Sequence, residues 1–151
     1  MSDEEMNKRM NYIQHETYRM LMDSAVYGVC AMKDGQRIDP LEIPEYVIEQ
    51  VKKMEIEEIE LFDILRNNGY WNLRVMEGRG VVGLSKKLFT TGIVYGLDEH
   101  GYQGRYCYEN AGEAALALAV WNGVGDPPGN WIVNKGERGG DRQNPNRVRH
   151  E

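Results

Sequence analysis

The sequence predicts an α+β fold: N-terminal helices packed on a small antiparallel sheet, followed by a short C-terminal helix and an irregular tail. Three observations carry this. Apolar residues recur every three or four positions over the first 27 residues. Segments rich in β-branched and aromatic residues, broken by turn signals, fill residues 70–108. An alanine-rich stretch behind Asn110 then leads into a Gly/Pro loop.

The first helix starts at a capping box. The Ser2 hydroxyl can accept from the Glu5 N–H while the Glu5 carboxylate reaches back. Met6, Met10, Ile13, Thr17, Met20, Leu21 and Ser24 then share one face of a helix reaching Tyr27, which Gly28 ends. That methionine-bearing face is expected to pack on the core, although thioethers also suit adaptable binding surfaces. Val26 to Met32, before Asp34-Gly35, suits either a short strand or a loop. Pro44 fits the first turn of a second helix running to Lys53, with Tyr46, Val47, Ile48, Val51 and Met54 inward. Residues 55–65 suit a helix or a strand, and the turn signal Asn67-Asn68-Gly69 tips the reading to a strand. The glutamates at 55, 57, 58 and 60 read as a solvated face.

Tyr70 to Met76 alternates with period two, as a half-buried strand does, and Val81-Val82 resume after a glycine break. Leu88 to Leu97 is expected as a strand and Tyr102 to Tyr108 as its hairpin partner. Strict alternation over 102–108 puts Tyr102, Tyr106 and Tyr108 on one face and Arg105 with Cys107 on the other. Asn110 and Glu113 form a second capping box ahead of a helix from Ala111 to Trp121. Residues 1–133 are read as a single domain. Residues 134–151, almost devoid of apolar side chains, are read as a polar basic tail, flexible or ordered by a partner.

Charge is uneven. Net charge is −6, yet residues 1–65 carry 15 acidic against 7 basic side chains, a net of −8, while residues 134–151 carry 3 against 5, a net of +2. An acidic half disfavours phosphate backbones and suits a basic partner or solubility alone. The acidic opening Met1-Ser2-Asp3-Glu4-Glu5 lacks a signal peptide's features and no long apolar run is present, so a cytoplasmic protein without a membrane span is expected. Two cysteines, Cys30 and Cys107, cannot make a disulfide framework and read as buried thiols.

The chemistry-bearing motifs are mostly negative. Gly123 to Gly129 follows a helix instead of opening one, lacks a Lys-Ser/Thr pair, and holds Asp126 and two prolines, so it does not suit phosphate. Its physical reading is a stiff turn between Trp121 and Trp131, whose rings can clamp it. His15, His100 and His150 are scattered, and no spacing for a metal, a nucleophile elbow or a zinc helix occurs. The expectation is a protein that is not an enzyme and has no metal or cofactor. The candidate binding residues are Tyr102, Arg105, Tyr106, Tyr108, Trp121 and Trp131, residue types that dominate interface hot spots and stacking platforms. The same aromatics serve equally as sheet core.

The run Thr91-Gly92-Ile93-Val94-Tyr95-Gly96-Leu97, then Gly104-Arg105-Tyr106-Cys107-Tyr108, Ala114 to Trp121 and the loop ending Gly125-Asp126-Pro127-Pro128-Gly129-Asn130-Trp131-Ile132 resembles a module of small uncharacterised phage and prophage proteins, over residues 70–146. The resemblance implies a viral or mobile-element origin and no catalytic residue. With the acidic half, it makes the leading expectation a non-enzymatic phage-type accessory protein that binds a host or viral macromolecule, for instance as an inhibitor of a bacterial defence nuclease. The expected partner is then a basic nucleic-acid-handling protein. The alternatives are a nucleic-acid-binding module built on the aromatic hairpin and basic tail, and a structural component of a virion.

Overall fold

The computed structural model describes residues 2–29, 32–33, 36–134 and 141–143. The α+β class is as expected, and the chain forms two compact units, Met1–Asn68 and Gly69–Glu151.

The first unit is mainly helical. Helix α1 (Asp3–Tyr27) begins at Ser2, whose hydroxyl accepts from the Glu5 N–H, and ends at Gly28 in the left-handed conformation (φ 67°) that glycine adopts without strain. A two-residue pair, β1 (Met32–Lys33) with β2 (Gln36–Arg37), follows. Asp39 caps a 3-10 turn (Pro40–Glu42) that leads into α2 (Ile43–Lys52). Residues expected as a strand are instead helix α3 (Ile56–Asn67). Its buried residues, Ile59, Phe62 and Leu65, recur every third position, a spacing a helix can turn to one side and a strand cannot. The Phe62 ring lies 6.0 Å from that of Tyr12 on α1, and α2 buries Ile43, Val47 and Val51.

Helix α1 packs on α2 and α3 through an unexpected face. Tyr12 is its sole buried residue, and around it Arg9, Glu16, Arg19 and Asp23 are half-buried. Arg9 donates to the Val51 carbonyl at 2.8 Å, and the Arg66 guanidinium of α3 sits 5.1 Å from the Tyr12 ring centroid. Of the face expected to pack on the core, Met6, Met10 and Leu21 are exposed and Ile13, Thr17, Met20 and Ser24 only half-buried. Ile48, expected inward, is exposed on α2.

The second unit is an antiparallel meander with strand order β3-β4-β5-β6-β7-β8. Four strands carry the core: β3 (Trp71–Met76), β4 (Gly80–Lys86), β5 (Thr91–Tyr95) and β6 (Gly104–Tyr108). β7 (Ile132–Asn134) and β8 (Asp141–Gln143) extend the edge beyond β6. The expected strand Leu88–Leu97 is shorter, because Leu88 and Phe89 form the β4–β5 turn. Apart from residues 134 and 141–143, the tail set apart in the sequence lies outside the described residues, as does Cys30. Cys107 is half-buried in β6.

Register sets the core. Leu84, Ile93 and Tyr106 are paired in a row across β4, β5 and β6, as are Thr91 and Tyr108, so these side chains share one sheet face. Helix α4 (Ala111–Val120), capped by the Asn110 side chain accepting from the Glu113 N–H at 2.8 Å, packs on β4, β5 and β6 and buries Ala114, Ala115, Ala117 and Leu118. The loop after α4 is tied down from several directions. Arg79 donates to the Gly123 and Gly125 carbonyls at 3.0 and 2.7 Å, and its guanidinium lies 4.7 Å from the Tyr95 ring centroid and 5.1 Å from that of Trp121. The Tyr106 hydroxyl donates to Asp126 at 3.0 Å.

Candidate binding surface

The sheet divides the six sequence candidates into two groups. Tyr106, Tyr108, Trp121 and Trp131 are buried together: the Tyr106 ring meets Trp121 and Trp131 edge-on, at centroid distances of 5.7 and 4.9 Å. Edge-to-face contacts of this kind add to the stabilisation from burial. The two tryptophans bracket the Gly/Pro loop, as the sequence suggested.

Tyr102 and Arg105 form the other group. Arg105 pairs with Val94 in the register offset by one residue from Tyr106, so it occupies the opposite face of the sheet. Tyr102 precedes β6 and does not join Tyr106 and Tyr108. Its hydroxyl oxygen accepts from Arg105 Nη1 at 3.0 Å and from Lys87 Nζ at 2.9 Å. The Lys87 ammonium also lies 4.6 Å from the Tyr102 ring centroid. Partial burial works to raise the phenol's pKa, but the two cationic donors outweigh it and the net direction is downward. Tyr70 feels the Tyr102 oxygen as well, and its own phenol is raised, by burial first.

Lys87 connects this group to a feature that sequence reasoning missed. The Lys87 N–H donates to the Thr90 carbonyl at 2.8 Å, closing a tight hairpin whose two central residues are Leu88 and Phe89. These side chains are 83% and 82% exposed, and Lys86 beside them is exposed as well. Two-residue hairpin turns favour positive φ and hence Gly, Asn or Asp, because only those turns match the twist of the strands. Here neither central residue has a positive φ; Asn72, at a register shift in β3, is the one such non-glycine among the described residues. Two large apolar residues therefore occupy a position where turn chemistry disfavours them and water surrounds them.

The resulting surface is an apolar tip with Lys86 at its base and, behind it, the Lys87–Tyr102–Arg105 cluster. It can insert a side chain into a pocket, stack an aromatic ring, or attract an anionic group. Among the described residues no group of three His, Cys, Asp or Glu side chains is placed to hold a metal ion, and no helix is long and apolar enough to cross a membrane. The chain matches no protein-family model, no curated protein and no solved structure.

Proposed function

We propose that this chain is a non-enzymatic accessory protein of phage type that acts by binding a macromolecular partner, with the β4–β5 hairpin tip as its anchor. The observation that carries this is the exposure of Leu88 and Phe89 at a turn that other residues would form better. Local rules of this kind are broken mainly at functional sites. An aromatic anchor that fills a partner's pocket is a common hot spot of an interface. Residues 1–68 carry 15 acidic against 8 basic side chains, a net of −7, which favours a basic partner such as a nucleic-acid-handling defence nuclease.

The test is functional. Bacteria carrying individual nuclease-based defence systems are made to express the chain, and a restricted phage is plated on them. Plating efficiency should rise in at least one system. The rise should be lost with a Leu88→Ser/Phe89→Ser variant of unchanged melting temperature. Full activity of that variant removes the tip as anchor; no rescue in any system removes the inhibitor reading.

A second reading draws on the Lys87–Tyr102–Arg105 cluster, whose cations beside Phe89 suit a phosphate and a stacked base of a single strand. Filter binding of single-stranded DNA and RNA at low salt decides it, because even non-specific phosphate contacts register there.

A further inference from the structure

Exposed apolar side chains in this chain differ in the charges around them. Leu41, on the 3-10 turn, is 89% exposed and stands among Asp39, Pro40 and Glu42. Leu88 and Phe89 are nearly as exposed, but they follow Lys86 and Lys87, the sole charged residues between positions 80 and 95. Among the described residues neither lysine forms an ion pair, and Lys87 Nζ is held only by the Tyr102 oxygen and ring. The neighbouring strand brings one acid to this level, Glu109, just past the Thr91–Tyr108 pair. Two lysines against one acid leave the rim of the tip positive.

The shape is convex. A two-residue turn has no groove to receive a peptide or a helix, and its two apolar side chains project into water. They reach two residues beyond the Lys86–Thr91 pair, about 7 Å at the rise of an extended chain. Apolar groups of proteins that lie on a bilayer enter its interface by about 5–10 Å, so the reach of the turn matches that depth.

Behind the tip is an aromatic collar. Trp71 pairs with Leu84, two residues before Lys86, and Tyr70 precedes it; both rings are half-buried. Apolar residues in front, lysines next and tyrosine with tryptophan behind follow the layering of a bilayer surface. Hydrocarbon comes first, then headgroups, where ammonium groups on flexible stems and amphipathic rings are both favoured. A close-fitting protein pocket calls for the apolar pair but for neither of the other layers.

We propose that the β4–β5 tip has a further use as a peripheral membrane anchor: Leu88 and Phe89 enter the interface of an anionic phospholipid bilayer, with Lys86 and Lys87 on its headgroup phosphates. Binding is weak and reversible, because one apolar pair and two cations fall short of a stable anchor. A bilayer and a protein pocket compete for the same two side chains, yet the membrane use requires no protein partner.

The experiment sediments the pure full chain with vesicles of phosphatidylcholine and phosphatidylglycerol in equal parts, and with vesicles of phosphatidylcholine alone. The chain should bind the anionic vesicles, and binding should weaken as salt rises. The Leu88→Ser/Phe89→Ser variant, at unchanged melting temperature, should bind at least about tenfold more weakly. Lys86→Gln/Lys87→Gln should also weaken binding, by about tenfold. Phe89→Trp should retain it, and Leu41→Ser, which removes an exposed leucine among acids, should bind as the wild type does. No sedimentation with anionic vesicles overturns the inference, as does binding that the Leu88→Ser/Phe89→Ser variant retains or that Leu41→Ser loses equally. Plating rescue that needs Leu88 and Phe89 without vesicle binding also overturns it, and gives the tip to a protein pocket alone. Vesicle binding without rescue in any defence system supports the membrane use and removes only the inhibitor reading.

Discussion

The Tyr108 hydroxyl donates a 2.7 Å hydrogen bond to the Pro128 carbonyl, joining the last residue of β6 to the middle of the Gly/Pro loop. Burial pushes the Tyr108 phenol far above its ordinary pKa, so the donor keeps its proton at any physiological pH. Tyr108→Phe keeps the ring and leaves that carbonyl without its donor. The expected loss is about 1–2 kcal/mol, read from urea unfolding. An unchanged unfolding midpoint would show that water replaces the hydroxyl at no cost.

Arg79 is the other fastening of the same loop. It supplies two charged donors to carbonyls and stacks on Tyr95 and Trp121. Arg79→Ala is expected to cost about 2–4 kcal/mol, combining lost charge-assisted bonds with lost ring contact. Arg79→Lys should recover less than half of this, because an ammonium cannot fork to both carbonyls from one planar position. Equal stability of the lysine variant and the wild type would reduce Arg79 to a point charge.

The Tyr102 phenol offers a direct view of the cationic cluster. With Lys87 donating to its oxygen, it should ionise below the ordinary phenol range in an ultraviolet absorbance titration. Lys87→Met should move that titration upward while partial burial persists. No movement would mean that Lys87 spends little time on Tyr102 in solution.

Glu16 links the inner face of α1 to pH. Burial raises its carboxyl pKa above the ordinary 4.5, and the nearby Arg19 and Arg66 charges only partly oppose this. The folded state therefore holds the proton more tightly than the unfolded chain. The associated stability is fully present below about pH 4.5 and is lost as pH rises through the folded pKa. Glu16→Gln, which cannot ionise, should be more stable than the wild type at pH 7, with the difference shrinking at pH 4. Urea midpoints of both proteins at the two pH values test this, and a pH-independent difference would count against it.

Much of the fold was legible because its signals are local. Ser2 with Glu5 and Asn110 with Glu113 mark helix starts through side chains three residues from the groups they cap. Helix α3 was misread because Asn67-Asn68-Gly69 is a strong turn signal that says nothing of what precedes it. The spacing of Ile59, Phe62 and Leu65 was the better guide. The candidate surface was largely illegible. Leu88 and Phe89 have the composition of a strand, and only the pairing of Lys86 with Thr91 makes them a turn. Lys87, Tyr102 and Arg105 are brought together by hydrogen bonds between side chains as many as 15 positions apart. The helical period of α1 was read correctly, yet which residues faced inward depended on α2 and α3: Tyr12 is the one buried, with Ile13, Met20, Arg9, Glu16 and Arg19 half-buried around it.

That polar inner face also bears on how the first unit opens. A helix that buries Tyr12 alone, among half-buried Arg9, Glu16 and Arg19, is held less firmly than strands buried on Leu84 and Ile93. Its amides should therefore exchange with deuterium through local detachment, well before the β4–β5 ladder exchanges through global unfolding.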